Sequence, residues 1–145
     1  MSSEEQRRGG QIARIVAIAL WVAACGGNAS TPDADDERAQ AIAAARVLAK
    51  PESPLPLRPE VLVQAQTLEA FAAKEGTSAT ARDLHELAGA LFERVFRREG
   101  KDQDGKEALA SFSAAAKDLK LAGACEAGLR GARLAGDVAH DAEAT

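Results

Sequence analysis

In the second half of the chain apolar residues recur at every third or fourth position. Leu84, Leu87, Ala88, Leu91, Phe92, Val95 and Phe96 mark one face, while Arg82, Asp83, Glu86, Glu93, Arg94, Arg97 and Arg98 occupy the others. This rhythm predicts an amphipathic helix, with Thr80 and Asp83 spaced as a capping box at its start and Gly100 at its end. Before it, Val61, Ala65, Leu68 and Ala72 share a face of another helix, opened by Pro59 and closed by Gly76. After it, a short polar loop over 101–105 leads to Ala108, Leu109, Phe112, Ala115, Ala116 and Leu119 on one face of a third. Helices joined this closely form a helical hairpin, with Leu84, Leu91, Phe92, Phe96 and Phe112 as its core.

The flanking segments have weaker patterns. Residues 38–50 are rich in Ala, with Ile42, Val47 and Leu48 as the large apolar residues, and stop at Pro51. Pro51, Pro54, Pro56 and Pro59 then space out a connector over 51–59, which predicts an extended, polyproline-like crossing between helices. Residues 124–145 carry Gly128, Gly131 and Gly136, each costing a helix about 1 kcal/mol relative to Ala. That stretch either packs very closely against a neighbour or frays. A period of two, the signature of strands, is absent over any useful length. The pattern predicts an all-α domain over 38–145: a small helical-hairpin or bundle domain of four or five helices.

The N-terminal part follows different rules. Ile15 to Ala24 form ten uninterrupted apolar residues behind Arg7, Arg8 and Arg14. As a helix they would rise about 15 Å, half of the ~30 Å hydrocarbon layer, so the run reads as a leader over 1–24 to be removed, not a settled span. Residues 25–37, from Cys25 through a Gly, Asn and Ser stretch into Asp33, Asp35, Asp36 and Glu37, have no large apolar residue and read as a flexible acidic tether. The acidic cluster also suits the start of a helix.

Composition narrows the functional classes. Losing the leader takes the 18 basic and 22 acidic residues of the 145-residue chain to 15 and 20, a formal charge of −5. Such a balance argues against a nucleic-acid partner, which would demand a basic stripe. Trp21 leaves with the leader and the chain has no Tyr, so Phe71, Phe92, Phe96 and Phe112 are its aromatics and stacking platforms are lacking. With Cys25 modified, Cys125 has no partner for a disulfide.

Val22-Ala23-Ala24-Cys25, an aliphatic residue and two small ones before a cysteine, resembles the lipobox of bacterial lipoprotein precursors. The resemblance implies cleavage before Cys25, lipidation of Cys25 and attachment to a membrane of the cell envelope. Gly26 stands where enteric lipoproteins kept in the inner membrane carry Asp, which implies the outer membrane, facing the periplasm. A second resemblance covers residues 104–142. Ala108, Phe112 and Ala115 hold the small, aromatic, small spacing of a tetratricopeptide second helix, and Ala142 follows Ala108 at the family period of 34. Glu126 and Arg130 occupy positions that the family keeps apolar and small. This resemblance implies a concave helical surface that binds another protein.

Candidate chemistry is sparse. On one helix Cys125 and His140 would lie about 22 Å apart, too far for a nucleophile and its base, and Cys125 reads as a small buried residue. His85, at the edge of the apolar stripe, and His140 read as surface residues without a metal-ligand partner at helical spacing. Haem attachment lacks a CxxCH motif, and Met1 leaves with the leader. Asp102, Asp104 and Gly105 resemble the middle of a calcium loop, but Gly100 and Ser111 stand where its first and last ligands belong. Ser111 and Ser113 lie in a helix without a nucleophile elbow. Arg94, Arg97 and Arg98 suit a helix C-terminus. The expectation is therefore a non-enzymatic lipoprotein with no cofactor and no metal, lipidated at Cys25 and acting as a helical adaptor for another envelope protein. The alternative is a bundle that carries a small ligand or metal in the same compartment.

Overall fold

Ser78, not Thr80, caps the central helix. Its hydroxyl accepts a hydrogen bond from the Ala81 N–H at 3.1 Å, so the helix begins at Ala79 and Thr80 lies inside its first turn. In the computed structural model, which describes residues 33–143, there are five helices: α1 (Ala34–Ala49), α2 (Arg58–Glu75), α3 (Ala79–Glu99), α4 (Asp102–Ala115) and α5 (Ala124–Glu143). The fold is all-α, and no strand occurs among the described residues. The leader, Cys25 and the first part of the tether lie outside them. The tether's last acidic residues, Asp35, Asp36 and Glu37, belong to the first turn of α1, where negative charge suits the helix dipole.

The helix α3 is the hub, touching each of the other four helices, with its broadest contacts to α2 and α4. Its apolar stripe is buried as the periodicity predicts: Leu84, Leu91, Phe92, Val95 and Phe96 are at most 3% exposed. The predicted face of α2 (Val61, Ala65, Leu68, Ala72) is fully buried, as are Ala108 and Phe112 of α4. Gly100 ends α3 in the left-handed conformation (φ 65°), its N–H bonding the Phe96 carbonyl at 2.7 Å, and α4 follows after Lys101 alone. The polar loop expected over 101–105 is therefore mostly helix.

Glycines let these helices approach. A Cβ on Gly89 of α3 would stand 2.9 Å from the Phe112 ring of α4, and one on Gly105 of α4 would stand 3.1 Å from the Phe96 ring of α3. Within each pair the two residues are equidistant in sequence from the Gly100–Lys101 turn, so each helix of the hairpin offers a notch to the other's aromatic ring. Packing of α5 onto α4 follows the same logic. A Cβ on Gly131 would meet Phe112 Cβ at 3.2 Å and one on Gly128 would meet Ala116 Cβ at 3.4 Å. Of the two outcomes open to residues 124–145, close packing is the one realised over the described part, 124–143, with Leu134 fully buried.

Three boundaries differ from the periodicity. The helix α4 stops at Ala115, where Asp118 turns the chain by accepting the Lys120 N–H at 3.0 Å, and Leu119 is left 69% exposed. The proline connector starts with a turn, Ser53 N–H to Lys50 carbonyl at 3.1 Å, before extending to Leu57, and Pro59 is already in the first turn of α2. Asp104 is buried rather than part of a loop, because Arg58 grips both its oxygens at 2.7 and 2.8 Å.

Candidate functional site

A furrow runs over α3 between α1 and α5. Thr80, Asp83, Leu84, Leu87 and Ala90 follow one helical stripe along its floor; Ile42, Arg46 and Ala49 of α1 form one wall, and Arg130 of α5 stands on the other. The space measures about 540 Å³. Past Arg130 a second hollow of about 400 Å³ continues between α3 and α5, over Glu93 and Arg97 and beside Leu129 and Arg133. Arg130 lines both hollows.

An ion cluster built on the buried Glu93 fixes that shared residue. Glu93, only 8% exposed, accepts from Arg97 Nε on one oxygen and from Arg130 Nε on the other, both at 2.8 Å. The Arg130 guanidinium also lies 5.0 Å from the Phe112 ring centroid, a cation–π distance. Arg97 reaches on to Asp137 of α5 at 3.0 Å. Its pKa is raised above the ordinary arginine value, chiefly by the Glu93 hydrogen bond, which burial opposes and to which the Glu93 charge and then the Asp137 hydrogen bond and charge add less. Arg97 thus ties α3 to α5 instead of merely facing its own helix end.

Arg94 and Arg98 hold the proline connector. Arg94 donates to the carbonyls of Leu48, Pro51 at 3.2 Å and Ser53 at 2.8 Å, and Arg98 donates to those of Leu55 at 3.2 Å and Pro56 at 2.6 Å. Proline contributes no N–H to a ladder, so these carbonyls need outside donors. Arg38 of α1 pairs with Glu75, and Gln64 donates to the Ala41 carbonyl at 2.7 Å, completing the attachment of α1.

His85 is not a free surface residue. Its Nδ1 lies 2.7 Å from Glu69 Oε2, while the hydroxyl of buried Ser111 donates to Glu69 Oε1 at 2.6 Å. The carboxylate stands between serine and imidazole, so the serine proton points at Glu69 and no imidazole is placed to remove it. This order fits a polar link between α2, α3 and α4 better than a nucleophile with its base. A cleft of about 560 Å³ opens beside it, bordered by Gln66, Gln103, Glu107 and the Arg58–Asp104 pair.

Cys125 is exposed and free, contrary to its reading as a buried residue, and His140 is exposed. Both oxygens of Asp104 are engaged by Arg58. Among the described residues no group of three His, Cys, Asp or Glu side chains is gathered to hold a metal, and no helix is long and apolar enough to cross a membrane. Cys25, the expected lipidation site, lies outside the described residues. No protein-family model, curated protein or solved structure matches the chain.

Proposed function

We propose that this protein is a bacterial envelope lipoprotein, anchored through an acylated Cys25, whose helical domain serves as a non-catalytic adaptor for another envelope protein. The furrow along α3 carries this reading: it joins an apolar floor to a charged rim over several helical turns, the form of a protein-docking groove rather than of an enclosed reaction chamber. The charge run, apolar leader and lipobox over 7–25 support the address, and the tetratricopeptide-like spacing over 104–142 agrees with a helical binding surface. A photo-crosslinking residue in place of Leu87, in cells making the full chain, is expected to trap one envelope protein. Trapping none at Leu87 or Leu129 would end the adaptor reading.

The cleft beside Gln66 and Glu107 supports the second reading, a carrier of a small polar ligand. A thermal shift caused by divalent metals, haem or small polar metabolites would favour that reading.

A further inference from the structure

We infer that the outward face of α5 pairs, antiparallel, with the same face of a second copy of this chain. This goes beyond the adaptor reading and does not rest on it.

A surface helix ordinarily turns its charged residues to solvent. Between residues 125 and 139, α5 does the reverse along its outermost line. Cys125, Leu129, Ala132, Gly136 and Ala139 are all exposed, Leu129 by 62%, and their alternating steps of four and three keep them within about 80° around the helix axis. That line lies opposite Ala127, Leu134 and Val138, the residues that α5 buries in the domain. Steps of four and three form the seam between two packed helices. Gly136 is the telling member. Gly128 and Gly131 admit Ala116 and Phe112 of α4, whereas nothing in the chain comes within 4 Å of a Cβ at Gly136. A glycine there weakens the helix without serving the fold, and a notch for a neighbouring helix accounts for it.

Charge then selects the occupant. Glu126 and Arg133 flank the line on one side, both exposed and both without an ion pair among the described residues. Two helical turns, about 10 Å, separate them, so they do not meet each other. Arg130 and Asp137, the opposite charges within reach on their own helix, are held by Glu93 and Arg97. A two-fold axis between antiparallel α5 helices sets each Glu126 beside Arg133 of the other copy. The same register lays Leu129 on the other copy's Ala132, and Cys125 on its Gly136. A parallel pair would leave both charges unmatched, since the other flank of the line carries Gly128 and Ala135. An unrelated protein would have to supply one cation and one anion at this spacing; a second copy supplies them by symmetry. One helix pair falls at the small end of interfaces, below about 1,200 Å² in all, so the contact is reversible and is best trapped covalently.

The test places a photo-crosslinking residue at Leu129 in cells making two differently tagged copies of the full chain. The expected product has twice the mass of the chain and carries both tags. Gly136→Leu, for which the folded domain has room, should cut its yield at least about tenfold by overfilling the seam. E126R alone or R133E alone sets like charges together at both ends of the contact and should cost about tenfold as well. E126R with R133E should restore the yield to within about threefold, because the exchanged charges match again only in the antiparallel pair. Circular dichroism melts of the purified variants verify that each folds. No product at Leu129, a product with a different protein, indifference to Gly136→Leu, or no recovery in the double reversal would overturn the inference. The adaptor reading fails separately. A different protein trapped at Leu87 with no self-product at Leu129 keeps the adaptor and removes the dimer, and a self-product at Leu129 with nothing at Leu87 keeps the dimer alone.

Discussion

At the residue scale, the same residue type has opposite consequences along one chain. Gly89 and Gly136 both interrupt helical patterns, yet a Cβ at Gly89 would press on the buried Phe112 ring whereas one at Gly136 meets nothing within 4 Å. Gly89→Ala should therefore lower the unfolding free energy by about 1–2 kcal/mol, overpacking outweighing the gain in helix propensity. Gly136→Ala should raise it by about 0.5–1 kcal/mol. Urea titrations of the two variants check both signs. The large apolar residues were legible in the sequence because their burial follows from periodicity. The partners of Gly89, Asp104 and Glu69 were not, because each lies on another helix and no local spacing encodes a contact across the bundle. The carboxyl of Glu99 is a further case. Its pKa is held below the ordinary 4.5, first by the Lys101 hydrogen bond and then by Arg98. A lowered folded-state pKa means that the contribution to stability is complete above the ordinary carboxylate range and is lost as pH falls through the lowered value. Lys101→Met should move the Glu99 titration, followed by carboxyl carbon NMR, back toward the ordinary midpoint.

At the element scale, α1 and α3 differ in what holds them. In α1 only Ala45 is buried, with Ile42, Leu48 and Ala49 partly so, while α3 buries its full stripe. The helix α1 and the connector after it depend on side-chain donors, above all Arg94. Arg94→Ala should favour local opening of α1 by roughly 1.5 kcal/mol or more, about tenfold in the opening equilibrium, with α3 and α4 unchanged. Hydrogen exchange read by segment is the measurement. The helix count and the α3 stripe follow from sequence, and so does the modest core share of α1. The ends of elements were less readable. Ser78 displaced Thr80 as the cap because it lies just before the first helical residue, and Asp118 stopped α4 short of Leu119 by a local turn. The arginines near the end of α3 had a sufficient local explanation in the helix dipole, which hid their long-range bonds to the connector.

At the scale of the whole molecule, processing should remove Trp21 and leave a chain with neither Trp nor Tyr. Mass spectrometry of the N-terminus after expression in a lipoprotein-processing host should show loss of residues 1–24 and an added acyl mass on Cys25. Absorbance in the near ultraviolet should almost vanish with that loss. A free amino terminus at Met1 together with partition into the aqueous phase of a detergent separation would contradict the anchored state. The grip of Arg94 and Arg98 on the carbonyls of residues 48–56 has one more consequence, for mechanics. Tension applied at the N-terminal end of the domain meets α1 before any other helix, and α1 has little apolar contact with which to resist. Stretched between its two ends, the domain should yield in two steps: α1 and the connector peel away once the arginine bonds give, and the remaining four helices rupture later at higher force. The arginine clasp, together with the Arg38–Glu75 pair and the Gln64 bond to the Ala41 carbonyl, thus sets the load at which the domain first lengthens, a built-in slack between a pull at its N-terminal end and whatever the other helices hold.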